Sequence, residues 1–356
     1  MMRAWPYLHK TIMPSKPRDV AASRVDIIEP STKEYTPPAL FLESEFEKVT
    51  EVFGTDSRAE EYRRVSGFTA MHAPLKRYEF KNALVYPNGF SVKDGSFERS
   101  GPLQHKMLLM EKIEHLDQAL FCGTPPAIEY FGHWMMESCC TALLQMDEEV
   151  LIMPTRADWQ HAKTYKEIFG FAPEADGLKH VERLVWYEDF MQGRSHSTRY
   201  RELRRRLRNK FPERESRGKR VYLKRGNGGK KRGYKNEPEI IERLVREGFI
   251  VVDIEKDSLE TMFNATVGAE IVVTVEGSHQ SHALLMMQEG GLLLAIQPSD
   301  RFISIYRDRT AALNMDFGFV VAQRQPDENT YLVDEGAVMR TLDLYAERQL
   351  PRVAGE

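Results

Sequence analysis

The chain has 356 residues, which is long for a single domain and predicts two domains of ordinary size. Its hydrophobic content of 42% and charged content of 29% are typical of a soluble globular protein, and a net charge of -3 does not favour a nucleic-acid partner. No apolar run approaches the roughly 18 residues that span a bilayer, and the N-terminus does not resemble a signal peptide.

Cysteine usage predicts a reducing compartment. The three cysteines, Cys122, Cys139 and Cys140, are too few for a disulfide framework, and adjacent cysteines seldom bridge. We therefore expect a cytoplasmic protein. The sequence contains no CxxC pair, no HExxH motif and no Asp-x-Asp motif, so no metal site is predicted.

The first hundred residues predict an arm, a helix and a small sheet. Residues 1–40 are rich in proline and charge and predict an extended arm, with a first strand at Val25–Ile28. Apolar side chains recur at near-helical spacing in residues 41–64, which predicts a helix. Residues 82–97 hold strand-like runs separated by two glycine-containing turn signals, and these predict a β-meander.

A mostly apolar stretch, Ala127–Gln145, predicts a buried helix with one polar stripe. Its three polar interruptions, Glu129, His133 and Glu137, recur every four residues and therefore share one face of a helix. A stripe of this kind often lines a cleft. The residues by themselves also fit a structural hydrogen-bonded pair of His133 and Glu137, and for His133 alone we favour that interpretation.

Strand and helix signals alternate through the middle of the chain. A strand is predicted at Val150–Met153, a helix at Ala157–Phe169 and a strand at Arg183–Tyr187. The strongly basic stretch Arg199–Lys210 predicts a helix with a solvated face, and contact with an anionic acceptor or a membrane surface is the alternative. Polar residues at 212–219 predict an interdomain linker.

The second half alternates strands and helices with short connections, which predicts a parallel, doubly wound sheet. Asn236, Ser258 and Ser281 are expected to cap three of its helices. The predicted strands are Arg220–Lys224, Phe249–Ile254, Glu270–Val275, Leu292–Gln297 and Phe319–Ala322. The predicted helices begin near Asn236, Ser258, Ser281, Arg301 and Glu335.

Two loops in this half have the chemistry of an anion site. The loop after the first strand carries Arg225 and Arg232 on a glycine-rich backbone, and the loop after the third strand is Glu276–His282. Both follow parallel strands, so we expect them to face one crevice, with His279 adding a hydrogen-bond donor. For Lys230 and Lys231 we favour solvated loop charge. Neither a Walker motif nor a GxGxxG fingerprint is present.

Three segments in order resemble glycosyltransferase family 61. They are Tyr130-Phe131-Gly132-His133-Trp134 followed by Glu137, Lys224-Arg225 followed by Arg232 and Asn236-Glu237, and Gly277-Ser278-His279 followed by Gly290-Gly291 and Pro298. The resemblance covers roughly residues 80–325. The chain departs from the family where His279-Gln280-Ser281-His282 replaces a His-Gly-Ala-Gly segment, and where Glu137 replaces the usual aspartate.

The resemblance implies an α/β protein of GT-B architecture, with two Rossmann-like domains facing a cleft and a C-terminal helix that crosses back to the first domain. The expected divisions are an arm at 1–40, an acceptor-side domain at 41–211, a linker at 212–219, a nucleotide-sugar domain at 220–330 and a returning helix at 331–356.

The resemblance further implies an inverting, metal-independent transfer from a nucleotide-sugar, with a UDP-sugar favoured, to a saccharide or lipid-linked saccharide. It places this chemistry in the cytoplasm, in capsule, O-antigen or exopolysaccharide synthesis. Glu137 is the favoured general base, with His133 orienting a substrate, and the reverse assignment is nearly as good. The residues implied in nucleotide-sugar binding are Arg225, Arg232, Asn236, Glu276, Gly277, Ser278, His279, Ser281 and His282.

Two other functions fit the same residues. A pyruvyl-type transferase on a similar fold would use basic loops to bind phosphoenolpyruvate. A catalytically silent relative would bind a glycan or a partner through the same residues and the basic helix. The anion that binds distinguishes the pyruvyl-type transferase from a glycosyltransferase. Product formation distinguishes a glycosyltransferase from the catalytically silent relative.

Overall fold

The computed structural model describes residues 16–54, 56–97, 113–172, 177–190, 193–211, 219–226, 232–326 and 330–349. The chain forms two compact units. The first consists of Met1–Thr32 and Met71–Arg206, and the second of Lys33–Ala70 and Leu207–Glu356. This division differs from the predicted one, because it falls inside a helix and because residues 33–70 belong to the second unit. Residues 212–218 of the predicted linker lie outside the described residues.

The strands before residue 190 are β1 (Arg24–Glu29), β2 (Thr32–Thr36), β3 (Phe68–His72), β4 (Leu75–Tyr86), β5 (Gly89–Val92), β6 (Gly95–Phe97), β7 (Glu114–Phe121), β8 (Val150–Ile152) and β9 (Lys179–Glu188). Those after it are β10 (Lys219–Lys224), β11 (Gly233–Tyr234), β12 (Phe249–Asp253), β13 (Ala269–Val275), β14 (Leu292–Pro298), β15 (Asp316–Arg324) and β16 (Thr330–Leu332).

Helices of the first unit are Arg18–Ala21, Pro125–Glu129, Phe131–His133, the π-helical turn Trp134–Ser138, Cys139–Ala142, Ala162–Ile168 and most of Arg194–Lys210. Helices of the second unit are Glu43–Glu47, Arg58–Val65, Glu237–Arg246, Leu259–Thr266, Gln280–Met286, Ile305–Ala312 and Glu335–Gln349. Among the described helices, none is long and apolar enough to cross a membrane.

The first unit is built on a mixed sheet with the order β6-β5-β4-β9-β7-β8, and β1 pairs with β4. The β4–β5–β6 meander follows the predicted turns, and β1 confirms the predicted first strand. Parallel pairing is found for β7 with β8 and with β9, whereas β4 runs antiparallel to β9. The expected Rossmann-like sheet is therefore present only in part: helical segments connect the parallel strands β7, β8 and β9, whereas hairpins connect β4, β5 and β6.

The second unit contains the predicted parallel strands in a sheet of the order β11-β16-β15-β14-β13-β10-β12, in which β16 runs antiparallel to β15. Its central strands are continuous apolar runs, such as the wholly buried Leu292–Pro298, as expected for strands covered on both faces. Among β10, β12, β13, β14 and β15, the strand order is 2-1-3-4-5, the doubly wound order of flavodoxin-like sheets. Crossovers leave the sheet in opposite directions from β10 and β13, so the switch point lies between these two strands.

Residues 33–70 complete the second unit instead of forming one helix. A first helix ends at Glu47, and a second begins at Arg58 after Gly54 has taken a positive φ of +91°. The hydroxyl group of Ser57 caps the second helix by accepting from the main-chain N–H of Glu60. The buried carboxylate of Glu45 accepts from the main-chain N–H of Val321 at 2.9 Å, and Leu40 forms a bridge with Gly318 in β15. The segment therefore satisfies backbone groups along β15.

The final helix, Glu335–Gln349, begins close to the predicted residue but has a different partner. Its buried face, which includes Val338, Leu342 and Tyr345, belongs to the core of the second unit. The Tyr345 hydroxyl group donates to the main-chain oxygen of Gly290 at 2.9 Å. Because the apolar face of the helix is buried against this sheet, the prediction that it crosses back to the first domain was wrong.

Candidate functional site

The predicted helix at Ala127–Gln145 is interrupted at Tyr130. Thr124 caps the first piece by accepting from the main-chain N–H of Ala127 at 3.1 Å, and extended backbone at Tyr130 ends it. The chain becomes helical again at Phe131. Glu129 is exposed and belongs to the first piece, so the prediction that it shares a stripe with His133 and Glu137 was wrong.

His133 and Glu137 form a hydrogen-bonded pair in the first unit. His133 Nδ1 lies 2.5 Å from Glu137 Oε1, and the Thr124 hydroxyl group donates to Glu137 Oε2 at 3.1 Å. The side chain of Glu137 is 11% exposed and that of His133 is 24% exposed. Because Nδ1 faces the carboxylate, Nε2 lies on the far side of the ring. This is the arrangement in which a carboxylate orients an imidazole for proton transfer.

The pair is carried by a π-helical turn, Trp134–Ser138, a rare form that occurs frequently at functional sites. His196 Nε2 donates to the main-chain oxygen of Met136 at 2.7 Å, and Arg199 donates to that of Cys140 at 3.3 Å. Asp189 holds both side chains, since its carboxylate accepts two hydrogen bonds from Arg199 and lies 3.4 Å from His196 Nδ1. A buried ionic cluster thus braces the turn that carries Glu137.

Electrostatics keep this cluster charged. Burial opposes the protonated form of His196, but Asp189 outweighs it and raises the pKa of His196 to about 10. Burial likewise opposes the ionised form of Asp189, yet His196 and Arg199 hold the pKa of its carboxyl group well below the ordinary value. All three side chains are therefore ionised at neutral pH.

The second candidate group lies at the switch point of the second unit. As predicted, the loops after β10 and β13 come together: Arg225 and Arg232 both donate to the main-chain oxygen of Glu276, at 3.2 and 3.0 Å. Arg232 also contacts the Glu276 carboxylate. Arg301, which the sequence did not single out, donates to the same carboxylate at 3.2 Å. Its place shortly after β14, the next strand of the sheet, is the signal that could have identified it.

His279 is buried in this group and is not the predicted donor at its mouth. The Thr274 hydroxyl group donates to the main-chain oxygen of Leu223 at 2.6 Å, so it must accept from His279 Nε2, 2.7 Å away. Nδ1 of the neutral ring is therefore an acceptor. Burial, then the charges of Arg225, His282 and Arg232, hold the pKa of His279 well below its ordinary value. A methyl group at Gly277 would lie 2.9 Å from Nδ1.

Other predicted binding residues have structural partners. Asn236 donates to the main-chain oxygen of Val333 at 2.9 Å and accepts from its N–H at 3.1 Å, so the side chain does not form the predicted cap. Ser281 does not cap its helix, which begins at Gln280; its hydroxyl group lies 2.9 Å from that of Tyr306. His282 is buried within the same helix, and the main-chain oxygen of Ser278 accepts from Tyr306.

A pocket of about 400 Å³ opens beside the arginines. It is lined by the last residues of three neighbouring strands, Lys224, Asp253 and Val275, and by Arg225 and Arg232. Ligands of doubly wound sheets bind at this edge, outside the carboxyl ends of the strands at the switch point. The pocket lining also includes the acidic side chains of Glu237 and Glu255, so the pocket combines the position of a ligand site with two arginines suited to a phosphate group. Lys230 and Lys231 lie outside the described residues.

The basic helix, Arg194–Lys210, offers less positive surface than its sequence implies. Arg199 and Arg204 are buried, and Arg205 and Arg206 both pair with Glu202. Its apolar side chains Tyr200, Leu203 and Leu207 are buried. The membrane contact predicted for this helix is therefore not part of the function proposed below.

The glycosyltransferase 61 family model matches residues 131–293. The match begins at the helix that carries His133 and Glu137 and includes the loops of Arg225, Arg232 and His279. A search of curated proteins found no match to the chain. The family indicates glycosyltransferase activity, and therefore a sugar donor and an acceptor as substrates. The match supports the resemblance to glycosyltransferase family 61 over residues 131–293.

Proposed function

We propose that the protein is an inverting, metal-independent glycosyltransferase that moves a sugar from a nucleotide-sugar, a UDP-sugar first among them, to a hydroxyl group of a saccharide acceptor. One observation carries the proposal. Arg225 and Arg232 meet on Glu276 beside a pocket at the switch point of a doubly wound sheet. A nucleotide with a diphosphate group is the ligand that this position and these two arginines favour.

The donor residues have a chemical task in the transfer. As the bond between the anomeric carbon and the diphosphate breaks, negative charge develops on the leaving group. Guanidinium groups fixed in a partly buried site stabilise this charge without reorganising, so they lower the barrier. We assign this role to Arg225 and Arg232. In other glycosyltransferases a divalent cation stabilises the charge of the leaving diphosphate. Undiminished transfer in the presence of EDTA is the expected result.

We propose His133 as the general base and Glu137 as the residue that orients it. Both oxygens of the Glu137 carboxylate already accept hydrogen bonds, from His133 and Thr124. His133 is the more exposed of the two, and its Nε2 lies away from the carboxylate. This geometry supports the reverse of the assignment that the sequence favoured. In the proposed step, His133 Nε2 takes the proton of the acceptor hydroxyl group as its oxygen attacks the anomeric carbon.

Variants of the pair separate the two assignments. If His133 is the base, His133→Ala abolishes transfer and added imidazole partly restores it, whereas Glu137→Gln leaves a small, measurable rate. If Glu137 is the base, Glu137→Gln abolishes transfer and imidazole restores nothing. In both cases nucleotide affinity should stay at the wild-type value.

The setting of the activity is proposed from the family context. We propose a cytoplasmic enzyme of capsule, O-antigen or exopolysaccharide synthesis, acting on a saccharide or lipid-linked saccharide. The three cysteines are buried and form no disulfide with one another, which fits a reducing compartment.

Thermal unfolding with UDP, GDP, CMP, dTDP and phosphoenolpyruvate tests the donor class. A ligand at about 100 times its dissociation constant adds roughly 2.7 kcal/mol of stability, which raises Tm by about 2 °C or more. A shift with one nucleoside diphosphate supports the proposal and identifies the donor class. A shift with phosphoenolpyruvate alone replaces it with the pyruvyl-type transferase.

Product formation is the decisive measurement. The matching nucleotide-sugar is incubated with a panel of saccharide acceptors, and release of nucleoside diphosphate is measured together with the new glycoside. Formation of a glycoside of inverted anomeric configuration supports the proposal. Nucleotide binding without any product across the panel favours a catalytically silent relative.

A further inference from the structure

Three arginines converge on one glutamate at the switch point. Arg225 and Arg232 donate to the main-chain oxygen of Glu276, while Arg232 and Arg301 contact its carboxylate. They come from two connections of the second unit: Arg225 and Arg232 from the loop between β10 and β11, and Arg301 from the turn after β14. The fold therefore brings together charges that are far apart in the sequence.

Arg301 is fixed at this point from its other side. The guanidinium carbon of Arg301 lies 3.9 Å from the centre of the Phe53 ring, close enough for a cation–π contact. Its side chain is 20% exposed, and that of Glu276 is 10% exposed. The guanidinium group of Arg301 thus stacks on the ring of Phe53 and hydrogen-bonds through one edge to the Glu276 carboxylate.

The three guanidinium groups repel one another. Burial, and after it the neighbouring charge of Arg301, lowers the pKa of Arg225 although Tyr234 and Glu237 act in the opposite direction. Arg225 and Arg301 likewise act against the charge on Arg232. A carboxylate brings one negative charge to this group, and a diphosphate ester brings two. A bound diphosphate therefore offsets the repulsion better than the carboxylate of Glu276 does.

We propose that Arg301 is a third arginine of the diphosphate site, and that the Glu276 carboxylate holds the arginines in place until the donor diphosphate replaces it. The inference rests on the proposed function, because it concerns the diphosphate of the same donor. Glu276 then acts as a built-in counter-ion: it stabilises the empty site and competes with the ligand. Arg301 lies beyond residues 131–293, so the family match does not assign it.

Inorganic pyrophosphate is the probe, titrated calorimetrically into four proteins: wild type, Arg301→Gln, Glu276→Gln and Arg324→Gln. Arg324 is the matched control, since it is an arginine of the same unit that pairs with Asp300 at 2.6 Å, next to Arg301 in the chain. We expect Arg301→Gln to bind pyrophosphate about tenfold more weakly, because one charged hydrogen bond is lost. Arg324→Gln should bind like the wild type.

Glu276→Gln gives the sharper result. Without pyrophosphate, this variant should melt at a lower temperature than the wild type, because the partly buried Arg232 and Arg301 lose their carboxylate partner. With pyrophosphate it should bind about tenfold more tightly, because the competing carboxylate is gone. A saturating amount should restore most of the lost Tm.

Three results would overturn the inference: wild-type affinity in Arg301→Gln, weaker binding in Glu276→Gln, or no binding of pyrophosphate by the wild type. The transfer assay keeps the proposed function separate. Glycoside formation without pyrophosphate binding would refute the inference alone. The expected pyrophosphate pattern without glycoside formation would support the inference and refute the transferase.

Discussion

His196 Nε2 lies 2.7 Å from the main-chain oxygen of Met136, the residue that precedes Glu137 in the π-helical turn. With Arg199 on the oxygen of Cys140, a buried ionic group holds the turn on both sides of Glu137. In a π-helical turn some main-chain oxygens lack the usual helical partner. The cluster thus links a structural irregularity to the position of the His133–Glu137 pair.

Replacing Arg199 should slow the transfer step more than it weakens substrate binding. Arg199→Met leaves Asp189 with one cation fewer and releases the oxygen of Cys140, so the turn moves and the base is misplaced. A misplacement of about 1 Å can cost about a hundredfold in rate. We expect kcat to fall on this order, KM and nucleotide affinity to change little, and Arg199→Lys to restore part of the rate.

Arg77→Met is the control for this prediction. Arg77 is another buried arginine of the first unit and pairs with Glu149 at 3.3 Å, without a contact to the turn among its described hydrogen bonds. We expect Arg77→Met and Arg199→Met to lower the unfolding free energy by similar amounts, because each removes one partner of a buried ion pair. Arg77→Met should leave kcat of the folded enzyme unchanged. An equal loss of kcat in both variants would reduce the role of Arg199 to general stability.

The stability of the protein should fall as the pH rises above neutral. The folded-state pKa of His196 is about 10, above its ordinary value of 6.5. Its contribution to stability is therefore complete below pH about 6.5 and is lost as the pH rises toward 10; the size is on the order of a few kcal/mol. Urea unfolding of the wild type and of His196→Gln at pH 6, 8 and 9.5 measures the difference. Parallel pH profiles of the two proteins would contradict the prediction.

His279 should support nucleotide binding without carrying charge. His279→Ala removes the hydrogen bond to Thr274 and the packing against Gly277, and so loosens the loop on which the arginines meet; we expect nucleotide affinity to fall about tenfold. Because burial keeps His279 neutral, the ratio of wild-type to variant affinity should be constant from pH 6 to 8. A ratio that rises toward pH 6 would identify a charged donor. Thr274→Val should reproduce part of the loss.

Asn236 should affect stability and not nucleotide affinity. Asn236→Ala removes both hydrogen bonds to Val333 and should lower the unfolding free energy by about 1–3 kcal/mol. Urea unfolding and a UDP titration of the folded variant measure the two quantities. Normal stability together with lost UDP binding would restore Asn236 to the binding residues that the family resemblance implied.

The sequence predicts best where one kind of contact decides the structure. Strands β13 and β14 are apolar runs buried on both faces, and Ser258 caps its helix as expected. At the break, Gly132 follows Tyr130 by two residues, but the apolar pattern extends across both, and the sequence therefore predicted one continuous helix. The role of Asn236 also escaped prediction, because its partner, Val333, is 97 residues away.

In the candidate site, too, the sequence predicted some of the contacts and missed others. Arg225, Arg232 and the Glu276 loop could be placed together because they follow parallel strands of one sheet. The tautomer of His279 depends on Thr274 and Leu223, two residues from different strands, and no local pattern reports it. Long-range partners of this kind determine what a polar side chain can do, and they appear only in the folded chain.

The attachment of residues 33–70 to β15 has a consequence for synthesis on the ribosome. Glu45 and Leu40 are made early, but their partners lie in Asp316–Arg324: Val321 follows Glu45 by 276 residues, about 14–55 s at ordinary elongation rates. During this interval residues 33–70 cannot pair with β15, because β15 has not yet been synthesised. The residues of the first unit are complete before β15 is made. A fragment that begins at β10 lacks the same segment, so we expect it to aggregate unless residues 33–70 are supplied as a separate peptide.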